Sequence, residues 1–185
     1  MVEQLHFTDS DEANELLVRE PIALLIGFAL DQQVTVQKAF MGPLVLRERL
    51  GTLDAAALAA TDLDPVFRER PAIHRFPGAM ATRVGALATL IAERYEGDGA
   101  RVWSDAISPQ DLKRRLEELP GYGVMKVGSL AAVLANRFDV ALAVPLVPSH
   151  PTLGDVDSPQ ALDDYQAAKR AHKAEWSKAK SPSAG

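Results

Sequence analysis

Residues 116–138, "LEELPGYGVMKVGSLAAVLANRF", predict a helix end, a five-residue turn and a second helix. Pro120 ends the first helix because its ring removes a backbone donor and clashes with the preceding turn. Gly121 and Gly123 permit positive φ angles or a close approach to the backbone. The second helix begins with unpaired N–H groups that, with the helix dipole, attract an anion. The turn thus predicts either a phosphate site or an ordinary corner, since glycine and proline punctuate most helix–helix turns.

The rest of the chain also carries helix signals. Asp64-Pro65, Ser108-Pro109 and Ser158-Pro159 are N-caps followed by proline at the first helical position. No stretch alternates with period two, so we predict an all-α protein. The segment 139–157 holds three prolines and should be irregular, and 180–185 should be a frayed tail. Helices are expected over residues 10–19, 21–33, 35–50, 54–60, 64–69, 79–96, 108–118, 124–137 and 159–179.

Composition excludes several classes of site. Cysteine is absent, which removes disulfides, thiolate metal sites, iron–sulfur clusters and cysteine nucleophiles. The four histidines are scattered, so we expect no metal and no cofactor. The longest apolar run, Ile22–Leu30, is too short for a bilayer, which needs about 20 residues. The acidic N-terminus does not resemble a signal sequence. We expect a cytoplasmic, nucleoid-associated monomer that does not enter membranes.

Charge is distributed unevenly along the chain. The net charge of −5 argues mildly against sequence-blind binding to nucleic acid. However, residues 1–112 hold 10 Lys and Arg against 17 Asp and Glu (−7), whereas residues 113–185 hold 10 against 8 (+2). Any phosphate contact should therefore involve the C-terminal half, including Lys169 and Lys173, which lie one turn apart on the last helix.

Three segments together resemble the HhH-GPD superfamily of DNA glycosylases, which includes endonuclease III. These are "LPGYG" with its following helix, "LLIGFALDQQVTVQKAF" (residues 24–40) and "HRFPGAMATRVGALATLIAERY" (residues 74–95). The resemblance covers about residues 20–138 and is nearest to a subgroup of short, cysteine-free base-excision repair proteins. It implies a six-helix barrel over 21–137, containing the helix-hairpin-helix, and a second helical lobe from 1–20 and 138–179. With no cluster to hold that lobe, Tyr165 and Trp176 are expected as its anchors.

The resemblance also implies how the chain meets damaged double-stranded DNA. The hairpin would hold one phosphate backbone through main-chain N–H groups of Gly121, Tyr122, Gly123 and Val124. A polar side chain fills the stack that a flipped base leaves, and by position this is Gln33, with Gln32 as the alternative. Gln32 and Gln33 could equally only solvate a helix junction. Further contacts are expected from Lys126, Arg83, Lys169 and Lys173.

The catalytic pattern of the family is only partly present. Its lysine is the second residue after the last hairpin glycine, which here is Met125, so Lys126 comes one position late. One residue turns a side chain by about 100°, which could point Lys126 out of the cleft. The family aspartate of a "V-D-x-H" segment is replaced by Pro148 in Val147–His150. Asp139 and Asp155 flank the acid-free gap as weak substitutes, and His150 is either a catalytic substitute or a loop residue.

Three hypotheses remain open from the sequence. The chain could be a DNA glycosylase with altered chemistry that uses Lys126 with Asp139 or Asp155. It could recognise damaged or distorted DNA without cutting it. It could also be a helical protein–protein interaction domain, which the net charge of −5 favours.

Overall fold

The computed structural model describes residues 2–180, apart from the side chains of Trp176, Ala179 and Lys180. The tail 181–185 and the anchor expected at Trp176 therefore lie outside the described residues. The described part is helical and contains no strand, which confirms the all-α prediction. The helices are α1 Asp11–Arg19, α2 Pro21–Leu30, α3 Val36–Leu50, α4 Ala55–Ala60, α5 Asp64–Arg68, α6 Pro77–Arg94, α7 Arg101–Ser104, α8 Pro109–Glu117, α9 Val124–Arg137 and α10 Pro159–Lys180.

Two kinds of element differ from the sequence prediction. α2 ends at Leu30 rather than at residue 33, because the following loop includes Gln33 in a left-handed conformation (φ 57°). The short helix α7 and the 3₁₀ helices Ala141–Leu146 and Leu153–Asp155 were not predicted. These pieces are too short to show a helical period, and Ala143 and Leu153 are held by burial in the core.

α2 is the central helix of the core. Its residues from Ile22 to Leu30 are all buried, as expected of a helix that is apolar on every side. It packs on α1, α3 and α6. Gly42 lets α3 approach closely, since a Cβ there would lie 2.4 Å from Leu30 Cδ1. Phe7 and Phe28 each meet Phe40 edge-on, with ring centroids 4.9 and 5.1 Å away, which joins the N-terminal segment to this core.

The C-terminal segment is built onto α9. Both 3₁₀ helices pack on α9, and α10 contacts the second of them. Gly154 approaches the α9 backbone so closely that a Cβ would lie 2.6 Å from the carbonyl carbon of Ala132. Asn136 Nδ2 also donates to Gly154 O at 3.1 Å. The division into a barrel over 21–137 and a second lobe from the chain's ends stays a prediction. No helix within residues 2–180 is both long and apolar enough to cross a bilayer.

Candidate functional site

The hairpin between α8 and α9 is shaped by Gly121. Its φ of 80° lies in the left-handed region that favours glycine. A side chain would also collide with Arg83 of α6, because a Cβ on Gly121 would lie 2.5 Å from Arg83 Nε. The hairpin backbone and the Arg83 guanidinium are therefore in direct contact. Gly123, the N-cap of α9, provides no side-chain cap for the first N–H groups of the helix.

Tyr122 ties the hairpin to the central helix. Its ring is buried, and its hydroxyl donates to the Leu25 carbonyl of α2 at 2.6 Å. Burial raises the pKa of Tyr122 well above 10.0, so the hydroxyl keeps its proton. Val124 and Met125 follow on the opposite, solvent side, 84% and 68% exposed. Only the backbone of Tyr122 is left to meet a ligand, as the expected main-chain contact requires.

The loop after α2 is fixed by His74. Its Nδ1 accepts the Phe76 N–H at 2.9 Å, so the proton of the neutral ring is on Nε2. Nε2 faces the carbonyls of Leu30 at 3.0 Å and Gln32 at 3.1 Å. Burial is the main cause that lowers the pKa of His74 below 6.5. This role of His74 was not foreseen from the sequence, because the contact joins residues more than forty positions apart.

The two glutamines of this loop differ in their surroundings. Arg83 Nη1 donates to Gln32 Oε1 at 2.7 Å and to the Ala29 carbonyl at 3.2 Å. Gln33 is exposed, and its side chain makes no hydrogen bond within the described part of the chain. Its left-handed backbone is uncommon for a residue other than glycine. Gln32 is therefore occupied by Arg83, whereas Gln33 is available to another molecule.

Lys126 points away from the segment that carries Pro148. Val124, Gly128, Pro148 and His150 line one shallow groove. Since Lys126 is two residues from both Val124 and Gly128, its side chain lies about 160° around the helix from that groove. The amine Nζ is 5.8 Å from the centroid of the Tyr122 ring. The side chain is half-buried, and this burial, with Arg83 as the next cause, lowers the pKa of Lys126 to about 8.

Asp31 is the carboxylate that shares this space with Lys126. It is the C-cap of α2 and is half-buried. Burial raises its pKa, while Lys169 and Lys126 act in the opposite direction. Within residues 2–180 Asp31 forms no ion pair shorter than 4.0 Å, so the two charges interact across a gap. Asp31 was not among the residues predicted for the site, because it was placed inside a longer α2 and lies 95 positions before Lys126.

α10 closes one side of the gap. Lys169 Nζ lies 5.9 Å from the centroid of the Tyr165 ring. Burial, with the carboxylates of Asp31 and Asp155, raises the pKa of Tyr165 to about 12. Lys169 and Lys173 are both exposed. Tyr165 packs against the core, in keeping with its expected role as an anchor of this segment.

The acids expected to partner Lys126 lie elsewhere. Asp139 follows the C-terminal end of α9, whose ends are about 20 Å apart, and its φ of 55° terminates that helix. Asp155 accepts the Thr152 N–H at 2.8 Å in a capping box. His150 is exposed and contacts its neighbour Pro151 O at 3.1 Å. The structure thus brings together Arg83, Gln32, Lys126 and Lys169, with Asp31 as the unpredicted member, and leaves Asp139 and His150 outside.

Comparison with known proteins gave no match to a family model, a curated protein or a solved structure. Across the described residues, no group of three or more His, Asp or Glu side chains could hold a metal ion.

Proposed function

We propose that this chain binds double-stranded DNA through the α8–α9 hairpin and works as a base-excision repair protein of the glycosylase type. The observation that supports this most is Arg83, which contacts the hairpin at Gly121 and the glutamine loop at Gln32. One side chain therefore links the expected phosphate site to the expected base-stack wedge. An ordinary helical corner has no need of that arrangement.

The local charge also supports DNA as the partner. Arg83, Lys126 and Lys169 surround a single carboxylate, Asp31, on a chain whose net charge is −5. These cations repel one another, since Arg83 and Lys169 both lower the pKa of Lys126. Bound phosphate would relieve this repulsion and release counterions. The exposed Lys173 extends the positive surface by one helical turn.

The exposed Gln33 is the proposed wedge. Its loop is held by His74 and by Arg83, so the residue is presented on a fixed backbone. A short amide side chain in that position can hydrogen-bond the base that loses its partner when a nucleotide is flipped out. Gln32, held by Arg83, instead positions the guanidinium beside the hairpin.

A second function, recognition of damaged DNA without cleavage, is favoured by one observation. The segment from Val140 to Gly154 contains no acid, and Asp139 lies at the far end of α9 from Lys126. Binding and chemistry are therefore tested separately.

Salt-dependent binding tests the DNA-binding function. Anisotropy of a labelled short duplex is followed against salt for the wild type and for a chain with Lys169→Gln and Lys173→Gln. We expect the double variant to reduce the slope of log affinity against log salt, by roughly 0.9 for each phosphate that the protein no longer neutralises. Arg19→Gln is the charge-matched control, because Arg19 lies beside the opposite end of α2 from Asp31. Equal slopes in all three proteins would mean that DNA is not the partner and would favour a protein-interaction domain.

A further inference from the structure

Asp31 has no role in the binding function proposed above, yet the fold fixes its position closely. A role for this carboxylate rests on that function and deepens it. Three hydrogen bonds hold the last turns of α2 against the DNA-facing elements: Tyr122 Oη to Leu25 O, Arg83 Nη1 to Ala29 O, and His74 Nε2 to Leu30 O. Each anchor lies within six residues of Asp31. The carboxylate is therefore held relative to the hairpin from which Lys126 projects.

The surroundings of Asp31 differ from those of a structural carboxylate. Asp111, for comparison, pairs with Arg114 at 2.6 Å and Arg115 at 3.0 Å, and those contacts lower its pKa. Asp31 is more deeply placed but has no such direct partner in the described chain. Burying a carboxylate without a partner is unfavourable for folding. Such a group is retained at sites where it acts on a ligand.

The position of Lys126 explains why the acid is on α2. Moving the lysine by one residue turns its amine away from the Pro148 segment and toward the end of α2. An acid in the Pro148 segment would then face a different side of α9. The carboxylate that the amine now meets is Asp31.

We propose that Asp31 and Lys126 are the acid–base pair of a base-removal site, in which a flipped nucleoside occupies the gap between α2, α9 and α10. The substrate class is a purine or pyrimidine nucleotide in duplex DNA whose base is extruded beside Gln33. Lys169 and Arg83 hold the flanking phosphates.

The reaction that this pair supports is hydrolysis of the N-glycosidic bond. The bond between the sugar C1′ and the base nitrogen breaks, and its electrons leave with the base. The Asp31 carboxylate stabilises the positive charge on the sugar and removes a proton from a water, whose oxygen bonds to C1′. The Lys126 ammonium donates a proton to the departing base nitrogen. Transfer of the proton from Asp31 to the Lys126 amine restores both groups, so water is the only co-reactant.

Base release from labelled duplexes tests the proposal. Each duplex carries one altered base from a panel of uracil, hypoxanthine, ethenoadenine, 8-oxoguanine and methylated purines, and abasic sites are cleaved with alkali afterwards. We expect the wild type to release at least one of these bases. Asp31→Asn should reduce the rate by at least ~100-fold while duplex affinity is kept, because only the proton acceptor is removed. Asp163→Asn, which removes an exposed carboxylate of α10, and Asp139→Asn should keep the wild-type rate.

A pH profile separates catalysis from structural support. The wild-type rate should rise as Asp31 ionises and fall as Lys126 deprotonates near a pKa of about 8. Arg83, Lys169, Tyr165 and Asp155 also face this space, but none of them accounts for a fall near that pH in these surroundings. Lys126→Gln should remove the alkaline fall together with most of the rate.

The outcomes distinguish the catalytic pair from the binding function on which it rests. Duplex binding without release of any base in the panel overturns the Asp31–Lys126 pair and leaves the binding function standing. Release that survives Asp31→Asn overturns the role of Asp31 alone. A chain that does not bind duplex DNA in a salt-dependent way overturns both.

Discussion

Asp31 and Lys126, 95 residues apart in sequence, act on each other's charge across a gap between α2 and α9. Neither forms an ion pair shorter than 4.0 Å within residues 2–180, and both are half-buried. The arrangement places a charged group of each sign next to the hairpin that is expected to hold a phosphate backbone. It depends on the burial of Lys126, on the loop held by His74 and on the hairpin residues Gly121 and Tyr122.

Replacing Lys126 by Met should stabilise the fold at neutral pH. The pKa of Lys126 is about 8 in the folded chain against an ordinary 10.5, so folding opposes its charge at every pH below about 8. We expect a gain of about 1 kcal/mol, or about 2–4 °C in Tm, after allowance for the partial exposure of the side chain. The gain should shrink as pH rises from 8 toward 10.5, where the unfolded amine also loses its proton. A lower Tm at neutral pH would contradict the unfavourable burial.

His74 should make the fold sensitive to mild acid. Its pKa is lowered mainly by burial, so the neutral ring contributes stability above the ordinary value of 6.5, and this is lost as pH falls through the lower folded value. His74→Gln retains one acceptor and one donor but does not titrate. Thermal unfolding between about pH 7.5 and pH 5 should therefore show a steeper loss of Tm for the wild type than for the variant. Parallel curves would show that His74 is not held neutral.

The Tyr122 hydroxyl should stabilise the hairpin measurably. Tyr122→Phe removes the 2.6 Å bond to the Leu25 carbonyl and leaves the buried ring in place. A loss of about 1 kcal/mol in the free energy of unfolding is expected from one buried hydrogen bond. Duplex affinity should fall as well, because the hairpin is then less firmly fixed to α2. Denaturant unfolding and anisotropy measure the two effects, and a variant as stable as the wild type would argue against this anchor.

Gly121 should tolerate no side chain. Gly121→Ala forces alanine into φ 80° and places its Cβ 2.5 Å from Arg83 Nε. We expect a loss of about 1–2 kcal/mol from the backbone strain alone, and weaker duplex binding because Arg83 must move. Gly85→Ala is the matched control on α6, where a Cβ meets nothing within 4 Å and should gain up to about 1 kcal/mol. Equal duplex affinity for Gly121→Ala and the wild type would separate Arg83 from the binding site.

Local signals predicted the helices and the hairpin, whereas the site required the tertiary structure. Caps such as Ser108-Pro109 and the break at Pro120 act within a few residues, so nine helices were located to within three residues. The 100° rotation of Lys126 was also foreseeable from helix geometry. Which surface that rotation faces was not, because it depends on how α2, α6 and α10 pack around α9. An acid directly after an all-apolar helix and before two glutamines was the available signal for Asp31, and a helix drawn to residue 33 concealed it.

The pKa of Lys126 is the measurement that tests the paired site most directly. Selective labelling of the lysine amines, followed by an NMR titration, gives this pKa in the wild type and in Asp31→Asn. We predict about 8 in the wild type and a lower value in the variant, because the Asp31 carboxylate raises the pKa of Lys126 against burial and the charges of Arg83 and Lys169. A wild-type value near 10.5, or one that Asp31→Asn leaves unchanged, would contradict the site described.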